Sequence, residues 1–458
     1  MNISRDIFRT YDIRGIYGED LTDEIAKIIG KASGQFFLQN NQKKVVVGMD
    51  NRISGPAVFE SFCSGLLESG CDVLDAGLSQ SPIVYYSWYG FDANASVMVT
   101  ASHNPAKYNG FKMALNKKPL TGDDYQKIYE LCNLGRFPKE PGTREKIDLW
   151  TKYKEEIKKN IKLQKKLKVV VDCANGASAA FAPELLTELG CEVIPIYCEL
   201  DGRFPNHDPY PQKVEYYTEL IKAVKEKGAD AGLSFDGDGD RLGVYDEKGN
   251  FVENDRLAMI FSEDICLKNP NPKIVMNIST SLSVIEHIEN CGGTFILWKT
   301  GYPNITEKMR EENAIFGGEI SGHFFFRDRY FGYDDALYAA FRTLEIISNS
   351  SEPLSLLIEK LPRYFETREI RVQVPEGKDK FAISNAAAEE IKNEFPEAKF
   401  YDFDGIRFDL GDGWGLIRPS NTEPVIGTRA EAKSMEKLEE IKDLIKNKLK
   451  KHEVNLSW

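Results

Sequence analysis

The stretch Leu167–Asp172, LKVVVD, decides the fold class. It is a short apolar run that leads into a polar loop, Ala174–Gly176, and then into a helical pattern that extends to Leu189. A second apolar run, Gly190–Ile194 (GCEVI), follows at once. Strand, loop, helix and strand in this order predict a βαβ unit, in which a helix joins two parallel strands.

The same order of elements occurs at two other places in the chain. Lys43–Met49 (KKVVVGM) leads through a polar loop and a helical stretch to Gly70–Leu74 (GCDVL). Lys273–Met276 (KIVM) leads through a Ser/Thr loop and a helix around Val284–Ile288 to Cys291–Phe295 (CGGTF). We interpret the three units as an internal duplication of βαβ units, each of which predicts a mostly parallel sheet.

The pattern changes beyond about residue 365. Glu369–Val374 alternates as a half-buried strand, and Lys378–Phe395 has helical periodicity. Phe400–Leu410 contains the hairpin dipeptide Asp404-Gly405, and Glu431–Lys450 is an amphipathic terminal helix. We expect a smaller α+β domain here. The predicted domains are 1–150, 151–252, 253–365 and 366–458.

Length and charge limit the functions that are possible. A chain of 458 residues exceeds a single core, since domains settle near ~100–150 residues. The net charge is −12 and no block of five Lys or Arg residues occurs, which argues against a nucleic-acid partner. A small anion can still bind where cations gather locally.

The cysteines and the N-terminus predict a cytoplasmic protein. Eight cysteines are scattered without a C-x-x-C pair, which is typical of reduced, buried thiols. The first residues, MNISRDIFRTYDIRG, lack the apolar stretch of a signal peptide, and no run of ~18 apolar residues predicts a membrane span.

The first chemical motif is Thr100–Pro105 (TASHNP), which directly follows the apolar run Ser96–Val99. Loops at strand ends are where α/β folds place reactive groups. We expect Ser102 to be an exposed hydroxyl on a rigid loop and His103 to point elsewhere. The G-x-S-x-G pattern of serine hydrolases is absent.

The second motif is Asp236–Arg241 (DGDGDR), in which three carboxylates alternate with glycines. In extended backbone these carboxylates share one side, and they would repel strongly without a divalent cation, for which Mg²⁺ is suited. An EF-hand would need Gly where Arg241 stands, and both flanks read as strands. A D-x-D-x-T phosphatase would need Thr or Val in place of Asp240.

Two further loops combine donors and acceptors. Gly317–His323 (GGEISGH) places Glu319, Ser321 and His323 on one side of an extended loop, which suits the recognition of neighbouring sugar hydroxyls. Arg418–Pro424 (RPSNTEP), with Arg429 after it, offers a guanidinium, hydroxyls and an amide for a phosphate monoester.

Several charged residues have an ordinary interpretation as surface salt bridges. These residues are Arg9, Asp12, Arg14, Asp50, Arg52 and Lys112.

Together the motifs resemble the α-D-phosphohexomutase superfamily, in its phosphomannomutase/phosphoglucomutase branch. The matching stretches lie in the family's order in all four predicted domains. They are FRTYDIRG at 8–15, TASHNP at 100–105, DGDGDR at 236–241, GGEISGH at 317–323 and RPSNTEP at 418–424. The resemblance implies three related α/β domains with mixed sheets and a smaller α+β fourth domain around a deep central cleft.

The resemblance also implies roles for individual residues. Ser102 would carry the transferred phosphoryl group and, with Asp236, Asp238 and Asp240, hold Mg²⁺. Arg14, Lys112, Arg241 and His323 would act as charge stabilisers or as general acid and base. Glu319 and Ser321 would bind the O3 and O4 hydroxyls. The phosphate that does not react would be held by Arg418, Ser420, Asn421 and Thr422, with Arg9 and Arg429 as further candidates.

The reaction that the resemblance implies exchanges hexose 1-phosphates and 6-phosphates of mannose, glucose or both. It would pass through a phosphoserine and a hexose 1,6-bisphosphate, which also serves as activator. The expected partners are small sugar phosphates, without nucleic acid or membrane, and the expected state is a monomer or a weak homodimer.

One departure from the family and two alternatives remain. Many relatives have His after Gly in the third-domain loop, where this chain has Tyr302 after Gly301, which puts a second imidazole acid or base in doubt. A phosphoglucosamine mutase or a strict phosphoglucomutase would keep the fold, and kinetics with three sugar 1-phosphates separates them. A non-catalytic sugar-phosphate or metal-binding protein predicts an unphosphorylated Ser102 and no turnover.

Overall fold

The computed structural model describes residues 3–91, 93–134, 140–420 and 424–458. The chain forms two compact units. The first unit contains Met1–Asn254 and Ser321–Glu359, and the second contains Asp255–Ile320 and Lys360–Trp458. Among the described residues, no helix is both long and apolar enough to cross a membrane.

The first unit opens with a mixed sheet in the order β1-β5-β4-β2-β3-β7, with β6 beside β5. Its strands are β1 (Ile13–Ile16), β2 (Lys44–Met49), β3 (Asp72–Leu78), β4 (Ala95–Val99), β5 (Tyr108–Leu115), β6 (Lys118–Pro119) and β7 (Arg144–Lys146). Its helices are α1 (Asp23–Gln39), α2 (Gly55–Glu68), α3 (Ser81–Gly90), α4 (Gly122–Leu134) and α5 (Leu149–Asn160). Val45, Val46 and Val47 in β2 are all fully buried, so both faces of this strand are covered.

A second mixed sheet in the same unit has the order β12-β11-β10-β8-β9. Its strands are β8 (Lys168–Asp172), β9 (Glu192–Ile196), β10 (Ala231–Phe235), β11 (Leu242–Tyr245) and β12 (Phe251–Val252), with helices α6 (Ala182–Glu188) and α7 (Thr218–Lys227). Because β10 and β11 form an antiparallel pair around residues 236–241, the EF-hand interpretation is excluded, as the flanking strands predicted.

The second unit begins with a parallel sheet. Its elements are α8 (Asn254–Lys268), β13 (Lys273–Asn277), α9 (Leu282–Asn290), β14 (Thr294–Trp298), α10 (Tyr302–Glu311) and β15 (Phe316–Gly318). Strand β13 pairs in parallel with both β14 and β15. The chain then returns to the first unit with β16 (Phe324–Phe326), α11 (Ala336–Asn349) and α12 (Leu354–Glu359).

The C-terminal segment of the second unit is α+β, as predicted. Its sheet consists of β17 (Phe365–Glu366), β18 (Ile370–Gln373), β19 (Lys399–Tyr401), β20 (Ile406–Asp409), β21 (Gly413–Pro419) and β22 (Val425–Ala432), with helices α13 (Lys380–Glu394) and α14 (Met435–Lys450). The terminal helix begins later than predicted, because Glu431 and Ala432 complete β22 and the Ser434 hydroxyl then caps α14.

Buried polar contacts join this segment to the parallel sheet of the same unit. The Arg407 guanidinium stacks 3.8 Å from the centroid of the Trp414 ring and donates to the carbonyl oxygens of Ile278 and Thr280. The Glu431 carboxylate accepts the Leu282 amide at 2.8 Å. These bonds explain why residues 255–320 and 360–458 form one unit.

The three repeats share one strand topology, which confirms the prediction of three related α/β domains. In each, the first strand pairs in parallel with the strand after the helix and, on its other side, with a third strand: β4, β10 or β15. The motifs at residues 100–105, 236–241 and 319–323 each follow that third strand. Equivalent positions of a duplicated fold therefore carry the three candidate loops.

Candidate active site

Ser102 lies in a strained loop after β4. Ser102 has a φ of 51°, a left-handed conformation that few residues other than glycine adopt. Its amide donates to the Thr100 hydroxyl at 2.9 Å, and its own hydroxyl donates to Asp236 Oδ2 at 3.0 Å. Only 2% of Ser102 is exposed, so the expectation of an exposed hydroxyl is wrong. The hydroxyl instead faces a carboxylate within the first unit.

His103 also differs from expectation. Its Nδ1 lies 3.1 Å from the Ser102 hydroxyl, and its ring packs on Tyr210 at a centroid distance of 4.8 Å. The pKa of His103 is well below its ordinary value, first because of burial and then because of cations such as Arg241 and Arg14. The imidazole is therefore neutral at physiological pH, and it contacts the serine rather than pointing away.

The acidic loop and the serine loop approach closely because of glycine. A Cβ at Gly237 would lie 2.5 Å from the Ser102 carbonyl oxygen, which no other residue permits. Gly239 has a φ of 75°, so it supplies the turn that brings Asp236, Asp238 and Asp240 together. One oxygen from each of these carboxylates lies within 4.8 Å of the others.

The three carboxylates are fully buried and only partly satisfied. Asp236 Oδ1 accepts the amides of Asp240 and Arg241 at 3.0 and 3.1 Å. Asp238 Oδ1 and Asp240 Oδ1 have no hydrogen-bond partner among the described residues. Buried anionic oxygens left in this state are the donor set that a hard divalent cation requires. The residues present thus fit a metal ion.

The electrostatics of the cluster lead to the same conclusion. The pKa of Asp236 is raised well above its ordinary value by burial and by the charges of Asp240 and Asp238. Burial is the largest single effect on the pKa of Asp240 and raises it, but the neighbouring cations, Lys112 foremost, together outweigh burial, so that this pKa is lowered. A cation added among these groups would favour ionisation of all three carboxylates.

Two cationic side chains border the carboxylates. Lys112 on β5 is 3% exposed, and its ammonium donates to Asp238 Oδ2 at 2.6 Å and to Asp240 Oδ2 at 2.5 Å. Arg241 is half-buried, and its Nε donates to His323 Nε2 at 3.0 Å. Both residues thus join the acidic loop to other predicted site residues.

His323 joins this cluster because the chain returns to the first unit at residue 321. The Gly322 carbonyl accepts the Leu242 amide at 3.1 Å, beside β11. His323 Nδ1 lies 2.9 Å from Asp334 Oδ2. Nε2 accepts from Arg241, so Nδ1 is the ring nitrogen that carries a proton, on the side of Asp334.

Arg14 lies beside the serine loop and is buried rather than on the surface. Its guanidinium donates to Asn104 Oδ1 at 2.8 Å and to Asp12. Asp12, Asp50, Arg52 and Lys112 are also buried, so the interpretation of these residues as surface salt bridges is wrong. Arg9 is half-buried in the preceding turn, where its amide donates to the Asp12 carbonyl at 2.9 Å.

Sequence reasoning missed two neighbours of the acidic loop. Ser81, the first residue of α3, donates its hydroxyl to Asp238 Oδ2 at 2.5 Å and its amide to the Asp238 carbonyl at 2.9 Å. Asp334 is 1% exposed and faces His323. No local pattern marks either residue, because their partners lie far away in the sequence.

The motif at residues 317–323, which was predicted to recognise sugar hydroxyls, is divided between the two units. Glu319, in the second unit, is buried and accepts the Gly301 amide at 2.5 Å. Tyr302 follows at the start of α10 and is 7% exposed, so its ring packs in the interior. Ser321 belongs to the first unit and is half-buried.

The C-terminal loop lies in the second unit, between β21 and β22. Arg418 is half-buried with its Nε 3.1 Å from Asp404 Oδ2, and the Ser420 amide donates to the Val425 carbonyl. Asn421 and Thr422, which were predicted to bind phosphate, lie outside the described residues.

Arg429 has carboxylate partners of its own. It is 7% exposed, donates to Asp255 at 3.0 Å and to Glu366 at 2.5 Å, and also donates to the Ser279 carbonyl at 2.6 Å. This environment leaves its assignment to a substrate phosphate without support and indicates a structural role.

Family models match four consecutive segments that cover most of the chain. They describe domains I, II and III and the C-terminal domain of phosphoglucomutase/phosphomannomutase, at residues 5–138, 151–249, 253–365 and 369–448. The chain belongs to this family. Its members are phosphohexose mutases, in agreement with the resemblance of the five motifs.

Similar proteins extend over nearly the whole length of the mutase. A phosphomannomutase/phosphoglucomutase of Pseudomonas putida is 42% identical over 98% of this chain and 96% of its own. A phosphoglucomutase of Neisseria meningitidis is 38% identical, covering 100% of this chain and 99% of its own. The crystal structure of a family protein from Burkholderia thailandensis has a TM-score of 0.94 and 36% identity, with 100% of both chains covered.

Proposed function

We propose that this phosphohexose mutase moves a phosphoryl group between O1 and O6 of mannose, glucose or both, by way of a phosphoserine at residue 102 and a hexose 1,6-bisphosphate. The observation that carries the proposal is the hydrogen bond from the Ser102 hydroxyl to Asp236, inside a buried cluster that also contains Lys112 and His323. Three motifs far apart in the sequence supply this cluster.

In the first half-reaction the bond between phosphorus and Ser102 Oγ breaks as a bond to O6 of a hexose 1-phosphate forms, and Ser102 Oγ keeps the electron pair with which it attacks phosphorus again in the second half-reaction. The O6 proton passes to a base, for which His323 is the candidate, because its Nε2 has a lone pair that can exchange the hydrogen bond from the half-buried Arg241 for the O6 proton. In the second half-reaction the bond between phosphorus and O1 of the bisphosphate breaks, the phosphoryl group returns to Ser102, and the proton returns to O1.

Charge neutralisation is the main demand of phosphoryl transfer. Asp236, Asp238 and Asp240, with a Ser102 oxygen, would hold Mg²⁺, and Mg²⁺ when bound would neutralise the phosphoryl oxygens. Lys112 and Arg14 would add positive charge at the same place. Their buried positions support this role, because a fixed cation in a dry site acts more strongly than one in water.

The sugar must bind in two orientations, since O1 and O6 exchange places between the half-reactions. We assign recognition of O3 and O4 to Glu319 and Ser321, and the grip on the phosphate that does not react to Arg418, Ser420, Asn421 and Thr422. O3 and O4 roughly exchange positions between the two orientations of the sugar. We assign no residue to the hydroxyl at C2, where glucose and mannose differ. Glucose and mannose would therefore both react.

The proposal also includes the domain boundaries, the cellular location and the oligomeric state of the enzyme. We place the domain boundaries at 1–150, 151–252, 253–365 and 366–458. We propose a cytoplasmic enzyme that acts as a monomer or a weak homodimer on small sugar phosphates, with the bisphosphate as activator.

Mass spectrometry of the intact purified protein, followed by peptide mapping, tests the phosphoserine. We expect one phosphate on Ser102, which hexose 1-phosphate removes. Steady-state kinetics with mannose, glucose and glucosamine 1-phosphates tests the substrate, and we expect the first two to react best. Preference for glucosamine 1-phosphate would contradict the sugar assignment, and an unmodified Ser102 without turnover would contradict the function.

A further inference from the structure

Arg52 is a fully buried arginine whose guanidinium donates hydrogen bonds to the loop that carries Ser102. Its Nη2 donates to the carbonyl oxygens of Ser102 and Asn104, each at 2.7 Å. Its Nη1 donates to the carbonyl oxygens of Pro105 and Tyr108 at 2.8 and 3.1 Å. Four backbone carbonyl groups between residues 102 and 108 thus accept hydrogen bonds from one planar guanidinium.

The remaining donor of this guanidinium is oriented by Asp50. Arg52 Nε donates to Asp50 Oδ2 at 3.1 Å, and the Arg52 amide donates to Asp50 Oδ1 at 3.0 Å. The Phe204 ring lies 5.1 Å from the guanidinium carbon and covers it. Both side chains of the ion pair are 0% exposed, so the guanidinium has a single environment with every N–H used.

Asp50 also reaches Ser102 by a second path. Asp50 Oδ2 accepts the Thr100 hydroxyl at 2.6 Å, and the Thr100 oxygen in turn accepts the Ser102 amide at 2.9 Å. The amide of Ser102 is thus held through Asp50 and Thr100, and its carbonyl is held by Arg52. Both peptide groups that flank the Cα of Ser102 are therefore fixed.

These contacts explain how a serine keeps a left-handed conformation. At a φ of 51° the Cβ of Ser102 is crowded, and such a residue persists only where its surroundings determine it. The orientation of Cβ sets the direction of the hydroxyl, which faces Asp236. Arg52 contacts the serine loop only through backbone carbonyl groups among the bonds given above. These bonds can therefore form whether the Ser102 hydroxyl is phosphorylated or free.

We propose that Arg52, oriented by Asp50, is the positioning residue that holds Ser102 in line for phosphoryl transfer in both half-reactions. The inference rests on the proposed role of Ser102 as phosphoryl carrier. Arginine is needed here because its planar fork reaches four carbonyls at once, which the three donors of a single lysine ammonium cannot do.

The substitution Arg52→Lys tests this role, with Arg342→Lys as the matched control. Arg342 is an arginine of the same unit that is also fully buried, but it pairs with Asp328 at 2.8 Å and lies on α11. We expect Arg52→Lys to lower kcat about 100-fold per folded molecule while KM for hexose 1-phosphate changes less than about 3-fold. The control should keep both constants.

Amide hydrogen exchange supplies a readout that does not depend on turnover. We expect exchange in residues 100–108 to become faster in Arg52→Lys and to remain unchanged in Arg342→Lys. Wild-type kcat and unchanged exchange in Arg52→Lys would overturn the positioning role. An equal loss of kcat in the control would do so as well, because it would assign the effect to any buried arginine.

Thr100→Val keeps the test decisive if Arg52→Lys does not fold. Valine has a similar shape but lacks the hydroxyl that links Asp50 to the Ser102 amide, so we expect about a 10-fold loss of kcat and faster exchange at residues 100–108. Unchanged kcat in this variant would overturn the inference. Failure of the wild-type protein to turn over would instead overturn the proposed function on which the inference depends.

Discussion

Two regions of this mutase differ in how deeply their charged and polar side chains are buried. The reaction cluster (Ser102, Lys112, Asp236, Asp238, Asp240 and His323) lies in the first unit, and its members are at most 4% exposed. In the C-terminal loop, residues 418–424 of the second unit, Arg418 and Ser420 are half-buried and Pro424 is exposed.

The difference indicates which step each region serves. Buried and mutually bonded charges are organised before substrate arrives, and they can stabilise a transition state without further rearrangement. Half-buried donors at a loop can bind a phosphate equally in ground state and transition state, which affects binding more than chemistry. Changes in the reaction cluster should therefore act on kcat, and changes in the C-terminal loop should act on KM.

The largest effect is expected from Ser102→Ala. Without the hydroxyl that we propose as the carrier of the phosphoryl group, kcat should fall at least about 10⁴-fold while the melting temperature changes little. Ser87→Ala is the matched control, since this buried hydroxyl in α3 has no hydrogen-bond partner among the described residues. Near-native turnover of Ser102→Ala would refute the phosphoserine.

Asp238→Asn comes next. The amide keeps the shape of the side chain but removes one of the three buried charges, so both the affinity for Mg²⁺ and kcat should fall, the latter about 10²- to 10³-fold. Calorimetric titration with Mg²⁺ measures the first effect without substrate. Asp246→Asn is the control, because Asp246 is also buried but bonds the Lys248 and Asn250 amides of its own turn. An unchanged titration of Asp238→Asn would argue against the metal assignment.

Arg418→Ala should mainly raise KM. Because we propose Arg418 as a charged donor to the phosphate that does not react, we expect its loss to raise KM about 10- to 100-fold, with kcat within about 3-fold. The control is Arg371→Ala, in which a 59% exposed side chain of the same sheet is removed. A large fall in kcat at constant KM would break the contrast between the two regions.

The smallest effect is expected from Tyr302→Phe. Tyr302 stands where many relatives have histidine, yet its ring is buried at the start of α10. If His323 and Lys112 provide the proton transfer and the charge, removal of the Tyr302 hydroxyl should change kcat and KM less than about 3-fold. A 10-fold loss of kcat with altered pH dependence would instead make this phenol a participant.

The comparison of expectation and structure is most instructive in the loops. The strand ends at residues 99 and 235 were recognisable because the apolar runs before them have a local cause. The strand end at residue 318 was not predicted, since Gly317–His323 was interpreted as an extended loop. The burial of Arg52 and Asp50 was not recognisable, because a charged pair reads as a surface feature until its distant carbonyl and hydroxyl partners are known. The contact between His103 and Ser102 was missed for a similar reason, since the direction of a side chain depends on the φ of the residues in the loop.

Patterns within short windows were enough to establish the α/β repeats, the α+β C-terminal segment and the chemical type of each motif. Such patterns report on hydrophobic periodicity and on donor and acceptor inventory, which neighbouring residues decide together. Only the tertiary structure decided that Lys112 bridges Asp238 and Asp240 and that Arg429 pairs with Asp255 and Glu366. The hydrogen bonds from Arg52 to the carbonyl groups of the serine loop also became known only from the tertiary structure. Those assignments depend on which polar groups the folded chain places beside each buried charge. Because a buried charge without a partner is strongly unfavourable, it pairs with the groups that lie next to it, even when they are distant in the sequence.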